Sequence, residues 1–321
     1  MTTLAAFPRG GARRIVYLGT PELAVAPLDA LCDAGIQVAL VVSRPDARRG
    51  RGEAATPSPV KARATARGIP VTHDVRDVLR LADGGPLAGV VVAFGERIPT
   101  EVLARVPMLN LHFSLLPRWR GAAPVERAIL AGDAKTGVCV MSVAPAMDAG
   151  AVHARARTPI GAHDTTETLR ARLLGLGTPL LVAAVCDGVG EGEPQRGEPV
   201  HAAKVRPEDL RLDWHRGALD LDRVVRAGGG VTVLPDGTRL RILEARVVSA
   251  GDPDGGDAAE PGTLHLHDGA VCVATGSGTL RLVRVQPEGR AARDAPDWWR
   301  GARLAAGARL GPPGLAGGEY R

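Results

Sequence analysis

The feature that most constrains the fold is an alternation of short apolar runs with helically spaced segments through the first half of the chain. Residues 14–18 (RIVYL) are almost entirely apolar and are followed by Gly19, and residues 21–34 carry apolar side chains at helical spacing. A second apolar run follows at 36–42, and the most strand-like segment is 89–94 (GVVVAF). Continuous apolar runs of this length are typical of strands that are buried on both faces of a parallel sheet. We therefore predict an α/β fold with an N-terminal Rossmann-like, open, mainly parallel sheet.

The second half of the chain has a different pattern. Residues 188–207 are rich in Gly, Glu and Pro and include Gln195, a composition typical of linkers. Beyond them, one helix near 218–226 precedes short strands separated by turn sequences such as Pro235-Asp236-Gly237, which predicts a smaller antiparallel β-barrel of OB-like type. We expect residues 311–321 to be a frayed tail. The predicted organisation is an N-terminal domain over 1–187, a linker over 188–207 and a C-terminal barrel domain over 208–321.

Composition excludes several classes of protein. The chain has 321 residues, of which 45% are hydrophobic, so complete disorder is excluded. Its four cysteines are far apart and form no C-x-x-C pair, which argues against a disulfide scaffold or a Cys-rich zinc site and favours a reducing compartment. No apolar run reaches the roughly 18 residues of a membrane span, and the N-terminal charge order is not that of a secretory signal. We expect a cytoplasmic protein without a membrane segment.

His265 and His267 alternate on a predicted strand, but two histidines do not make a metal site, so no metal is predicted.

Polar residues interrupt one of the apolar strands. Asn110 and His112 alternate along a strand predicted at 108–113 and therefore project to one side. Ligands of open α/β sheets bind beyond the carboxyl ends of the strands, and Asp148 lies at a turn between two further strands. An amide donor and an imidazole can together stabilise an oxyanion and move a proton. A structural histidine flanked by turn-forming residues fits the same pattern, so the residues alone leave both interpretations open.

Residues 110–124 (NLHFSLLPRWRGAAP) closely resemble the signature of the methionyl-tRNA formyltransferase family. Similar short matches follow other strands, and the resemblance spans about residues 14–187, becoming fainter in the second half. The further matching segments are 18–22 (LGTPE), 44–46 (RPD), 57–61 (PSPVK), 93–95 (AFG) and 147–150 (MDAG). The resemblance implies transfer of a formyl group from 10-formyltetrahydrofolate to the α-amino group of initiator methionyl-tRNA, in translation initiation. Separately, we expect a monomer.

The same resemblance implies roles for individual residues. Asn110 would hold the formyl oxygen, His112 would stabilise the tetrahedral oxyanion and assist proton transfer, and Asp148 would orient His112. The positions that would line the folate site are Phe94, Ser114, Leu115, Leu116 and Pro117.

A basic loop is the predicted tRNA contact. Residues 44–52 carry a net charge of +3, and the resemblance places Arg48, Arg49 and Arg51 against the acceptor stem. Arginine binds phosphate through two parallel hydrogen bonds, although a solvated basic loop has the same composition. The family usually continues this loop with basic residues, where this chain has Glu53-Ala54-Ala55.

A second departure lies in the C-terminal half. The family usually has a Pro-rich segment containing Trp where this chain has residues 227–233 (AGGGVTV). Two alternatives therefore stay open beside the tRNA enzyme. One is a folate-dependent formyltransferase that acts on an amino sugar or another small amine. The other is a non-catalytic RNA-binding paralogue, against which the complete set of Asn110, His112 and Asp148 argues.

Overall fold

The computed structural model describes residues 4–48, 55–248, 259–305 and 307–311. The chain divides into two compact units, and both units are discontinuous in sequence. Unit 1 comprises Met1–Val125, Lys135–Pro159 and Thr168–Ala203, whereas unit 2 comprises Glu126–Ala134, Ile160–Glu167 and Lys204–Arg321.

Unit 1 is built on a seven-stranded sheet. In chain order the strands of this unit are β1 (Arg14–Gly19), β2 (Gln37–Val42), β3 (Val71–Thr72), β4 (Ala88–Val92), β5 (Met108–His112), β6 (Arg118–Gly121), β7 (Lys135–Ser142), β8 (Val152–Pro159) and β9 (Val200–Ala202). The sheet order is β3-β2-β1-β4-β5-β7-β8, and β6 pairs with β9 separately. The first five strands of the sheet are parallel, and β7 and β8 extend it in antiparallel orientation. The predicted mainly parallel α/β sheet is confirmed.

Helices connect these strands. They are α1 (Val25–Asp33), α2 (Pro59–Ala66), α3 (Asp77–Ala82), α4 (Thr100–Leu103), α5 (Pro124–Ala131) and α6 (Thr166–Cys186). The start of α2 shows how the sequence sets a helix boundary. The Ser58 hydroxyl accepts a hydrogen bond from the Lys61 N–H at 3.0 Å, and Pro59 occupies the first turn, where its missing N–H is not needed.

The apolar runs are strands because both faces of the sheet are covered. Every residue of β4 is buried, and so are Ile15 to Gly19 of β1. Helix α6 is long and apolar enough to cross a membrane by length and composition alone. Its side chains Leu169, Leu173 and Leu181 are fully buried, and 33% of its most apolar window is buried.

Unit 2 contains a predominantly antiparallel sheet. Its strands are β10 (Gly230–Val233), β11 (Arg239–Val247), β12 (Leu264–His267), β13 (Ala270–Ala274), β14 (Thr279–Pro287) and β15 (Arg293–Asp294), and its helices are α7 (Ala218–Gly228) and α8 (Ala295–Ala302). The order β10-β11-β14-β13-β12 is antiparallel throughout, and β15 pairs with β14. The predicted C-terminal antiparallel sheet domain is confirmed.

A short C-terminal segment links the two edge strands of this sheet. The Leu264 N–H donates to the Ala308 carbonyl at 2.9 Å, and Gly311 exchanges two backbone hydrogen bonds with Val233 at 2.9 and 3.1 Å. Residues 308–311 thus connect β12 to β10 and close the sheet into a barrel. The expected frayed tail is wrong at Gly311, because its backbone is paired, and residues 312–321 lie outside the described residues.

The glycines that replace the family's Pro-rich segment have a local structural reason. Gly229 follows α7 with φ of 83°, a left-handed conformation that favours glycine. At Gly230 an added Cβ would lie 2.6 Å from Leu212, a distance that side chains do not tolerate. The pair therefore lets the chain leave α7 and enter β10 in close contact with Leu212.

A buried threonine joins three parts of the barrel. The Thr232 side chain is completely buried, accepts a hydrogen bond from Trp214 Nε1 at 3.0 Å and donates to the Gly311 carbonyl at 2.7 Å. One hydroxyl therefore serves both partners and ties the closing segment to the core.

Replacing Thr232 by valine keeps the shape of the side chain but removes both hydrogen bonds. We expect Thr232→Val to lower the free energy of unfolding by about 1–3 kcal/mol, because a buried indole N–H and a carbonyl lose their partner. Urea unfolding followed by tryptophan fluorescence measures the change. Thr263→Val is the matched control, since its hydroxyl makes an exposed bond to the Glu260 carbonyl, and we expect a change within about 0.5 kcal/mol. Equal losses in both variants would contradict the role given to Thr232.

Candidate active site

Asn110 and His112 lie at the carboxyl end of β5 and share one face of the sheet. His112 is only 5% exposed, and Asn110 is half-buried. The neighbouring strand β7 places Met141 opposite Asn110 and Cys139 opposite His112. Burial raises the pKa of the Cys139 thiol, so this sulfur stays protonated and is a poor nucleophile beside the imidazole.

The structure brings Asn110, His112 and Asp148 together, as the sequence predicted. The Asn110 amide nitrogen lies 3.5 Å from Asp148 Oδ1, and His112 Nδ1 lies 3.6 Å from Asp148 Oδ2. The other ring nitrogen, His112 Nε2, is 2.9 Å from the carbonyl oxygen of Trp119. A carbonyl only accepts hydrogen bonds, so Nε2 carries a proton. Nδ1 is therefore the ring atom that can take up or give a proton next to Asp148.

Three non-glycine residues near the carboxyl ends of the strands have left-handed backbone conformations. They are Ala93 (φ 48°), Trp119 (φ 65°) and Asp148 (φ 49°). Such conformations are sparsely populated for these residue types and persist where the surrounding structure enforces them, often at functional sites. The left-handed turn at Asp148 allows its Oδ2 to accept a hydrogen bond from the Gly121 N–H at 2.8 Å. The carboxylate is thereby fixed between His112 and the loop that carries the signature.

The predicted folate-lining residues are largely packed into this part of unit 1. Ser114 is fully buried, and its hydroxyl donates to the Arg118 carbonyl at 2.6 Å, within the loop. Leu116 packs in a small core with Cys139 and other residues of β7 and β8, and Phe94 is also buried. Leu115 and Pro117 are half-buried. Their contact with folate stays a prediction.

Sequence reasoning missed one residue of this site, Gln195, which binds Arg120 of the signature. The Gln195 Oε1 accepts hydrogen bonds from Arg120 Nε and Nη2 at 3.0 and 2.7 Å. Its Nε2 donates to the carbonyl oxygens of Asp148 and Gly150, each at 2.8 Å. Gln195 lies in the Gly- and Pro-rich segment predicted as a linker, where no periodic pattern marks a residue as buried or functional.

Only part of the predicted tRNA-binding loop is described. Arg48 is exposed, whereas Arg49 and Arg51 lie outside the described residues. The base of the loop is held by a hydrogen bond of 2.6 Å between the buried hydroxyls of Ser43 and Ser58. Phosphate binding by the loop stays a prediction.

Within the residues that the structure describes, no three His, Cys, Asp or Glu side chains are grouped as metal ligands.

Two protein-family models match the chain. The model described as formyl transferase covers residues 13–185, and that described as the C-terminal domain of formyl transferase covers residues 204–303. The chain belongs to the formyl transferase family. The resemblance seen in the sequence is thereby confirmed.

Curated relatives of this formyltransferase are similar over almost their whole length. The methionyl-tRNA formyltransferase of Roseobacter denitrificans is 41% identical over 305 residues, which cover 91% of this chain and 96% of the relative. That of Phenylobacterium zucineum is 42% identical over 312 residues, covering 92% and 99%. The similarity therefore includes both units.

Solved structures of other formyltransferases and of HypX share the fold. A HypX variant from Aquifex aeolicus superposes with a TM-score of 0.62 at 18% identity; the match covers 92% of this chain but about half (49%) of HypX. An N-formyltransferase from Helicobacter canadensis, solved with folinic acid and dTDP-3-aminofucose, gives a TM-score of 0.61 at 14% identity and covers 84% of this formyltransferase and 98% of that chain.

The contact between His112 and Trp119 predicts the tautomer of this histidine. In the neutral imidazole we expect the proton on Nε2, because the Trp119 carbonyl can only accept. Long-range ¹H–¹⁵N correlation spectra of the histidine-labelled protein measure ring protonation. The chain has eight histidines, and His112→Gln identifies the relevant signals by their loss. A neutral ring protonated on Nδ1 would contradict the hydrogen bond.

Proposed function

We propose that this protein transfers the formyl group of 10-formyltetrahydrofolate to the α-amino group of initiator methionyl-tRNA, in the cytoplasm and as a monomer. The observation that carries the proposal is that Asn110, His112 and Asp148 lie close together in one site. Relatives named methionyl-tRNA formyltransferases are 41–42% identical to this chain over more than nine-tenths of its length. We assign formyl transfer to residues 1–187 and tRNA binding to residues 208–321, with 188–207 between them.

The positions of the polar atoms suit attack on a formyl group. The amine nitrogen bonds to the formyl carbon, whose oxygen becomes an oxyanion, and the bond between that carbon and N10 of the folate then breaks. An amide carries two N–H groups, so Asn110 can hold the oxyanion with one while the other points to Asp148. The proton lost by the amine passes by way of His112 Nδ1 to N10 of the leaving tetrahydrofolate. Asp148, 3.6 Å from Nδ1, stabilises the imidazolium that forms in between.

Folate fits the apolar surroundings of these groups. Phe94 and Leu116 are apolar side chains in the region where the strands end, and pockets for flat ligands are mostly apolar with few polar contacts. The donor supplies an activated formyl group, and the protein supplies its orientation and the oxyanion contact.

The direct test is formylation of charged initiator tRNA by the purified protein with 10-formyltetrahydrofolate. We expect formyl-methionyl-tRNA as the product and no formylation of a dTDP-linked amino sugar. Formylation of the amino sugar alone would replace the proposal by the small-amine alternative. Absence of formyl transfer to either acceptor would favour the non-catalytic alternative.

Removal of the proposed catalytic groups should abolish most of the activity. We expect Asn110→Ala and His112→Ala each to lower kcat by about 10²–10³, because an oriented oxyanion donor contributes a factor of that size. The measurement is steady-state formylation of methionyl-tRNA. The control is His163→Ala, which alters an exposed histidine outside the site. Near-normal turnover in both site variants would contradict the catalytic roles given to Asn110 and His112.

The proposed phosphate contacts predict a salt dependence that is specific to tRNA. We expect KM for methionyl-tRNA to rise with salt concentration, since each phosphate contact releases a counterion, while KM for folate changes little. Replacing Arg48, Arg49 and Arg51 together by glutamine should raise KM for tRNA and flatten its dependence on salt. An unchanged salt dependence would show that this loop does not bind the tRNA backbone.

A further inference from the structure

The segment around Gln195 is firmly attached to unit 1 on both sides. Before it, Glu193 exchanges two backbone hydrogen bonds with Val152 of β8, at 2.8 and 2.9 Å. After it, β9 pairs in parallel with β6, the strand that carries Arg120. Gln195 is therefore held at a fixed position beside the turn that contains Asp148.

The Gln195 side chain uses its full hydrogen-bonding capacity. A primary amide has two donor N–H groups and an oxygen with two lone pairs. The oxygen accepts both bonds from the Arg120 guanidinium, and the nitrogen donates to the carbonyls of Asp148 and Gly150. Because a guanidinium only donates, Arg120 fixes which end of the amide faces the turn. The orientation of the amide is thus determined by its partners.

The two carbonyls bound by Gln195 belong to Asp148, within the turn, and to Gly150, just after it. Asp148 has φ of 49°, a left-handed conformation that is uncommon for residues other than glycine, although aspartate adopts it more readily than most. A single amide nitrogen that bonds the carbonyls of Asp148 and Gly150 holds them at one point. The turn places the Asp148 carboxylate beside the Gly121 N–H and His112 Nδ1.

We propose that Gln195 is a positioning residue for formyl transfer, which holds Asp148 in its left-handed conformation and so aims its carboxylate at His112. Gln195 acts through Asp148, and Arg120 orients Gln195. The proposal rests on the proposed function, because it assumes that Asp148 assists His112 in the reaction.

Two variants separate the contacts of Gln195. Gln195→Glu keeps an oxygen for Arg120 but loses both donations to the turn, whereas Gln195→Ala loses every contact. We expect both to lower kcat about 10- to 100-fold, the range for a misplaced catalytic group, with KM for folate and for methionyl-tRNA within about twofold of the original values. If Gln195 served only to hold Arg120, Gln195→Glu would keep its original kcat. Circular dichroism and thermal unfolding check that each variant is folded.

Glu193→Gln is the matched control. Glu193 lies two residues away in the same segment, and its exposed side chain pairs with Arg155 at 2.7 Å rather than with the Asp148 turn. We expect its kcat to stay within about twofold of the original, as for other surface substitutions. A kcat within twofold for Gln195→Glu and Gln195→Ala would overturn the proposal, and so would an equal loss in Glu193→Gln.

Crystal structures of the two Gln195 variants test the proposal without any substrate. We expect Asp148 to leave the left-handed region and its carboxylate to lose the bond to the Gly121 N–H. If Asp148 keeps φ near 50° and that bond in both variants, the proposal is wrong even if formyl transfer is confirmed. If the unaltered protein does not formylate methionyl-tRNA, the proposed function fails, and these structures still decide whether Gln195 holds the turn.

Discussion

The site depends on one constraint, the left-handed turn at Asp148. A carboxylate that accepts from the Gly121 N–H and lies beside His112 joins three distant stretches of chain: the end of β5, the signature loop, and the connection between β7 and β8. Asp148 makes these contacts from a left-handed backbone conformation with φ of 49°. The surrounding hydrogen bonds offset the unfavourable conformation, which is the usual arrangement where strain is kept for function.

Asn110 and His112 depend in turn on the sheet. Parallel strands end at the same edge, and the apolar interior of β1 and β4 keeps that edge in place because both faces of these strands are covered. An alternating strand then directs two polar side chains to one face, where the buried Cys139 and Met141 lie opposite them.

The sequence allowed the fold class and part of the site to be predicted. Periodicity was sufficient for the parallel sheet and for the shared face of Asn110 and His112, because these are properties of single strands. The contact of Asp148 with His112 spans 36 residues and required the family resemblance. Gln195 could not be found, since a side chain that bonds backbone carbonyls in an irregular segment leaves no periodic signal. Gly311 was missed for a similar reason, as its pairing partner lies in β10.

The closure of the C-terminal barrel has a consequence for how this unit forms. Thr232 and Gly311 are 79 residues apart, and the hydrogen bond between them is one of several that hold the closing segment. During synthesis, β10 therefore emerges long before the strand that covers its free edge. In that interval Val231 can already pair with Leu212, but the Val233 backbone groups lack their partner Gly311, and unpaired strand edges are where non-native association begins. Long-range contacts of this kind also form slowly, so we expect barrel closure to come late in folding.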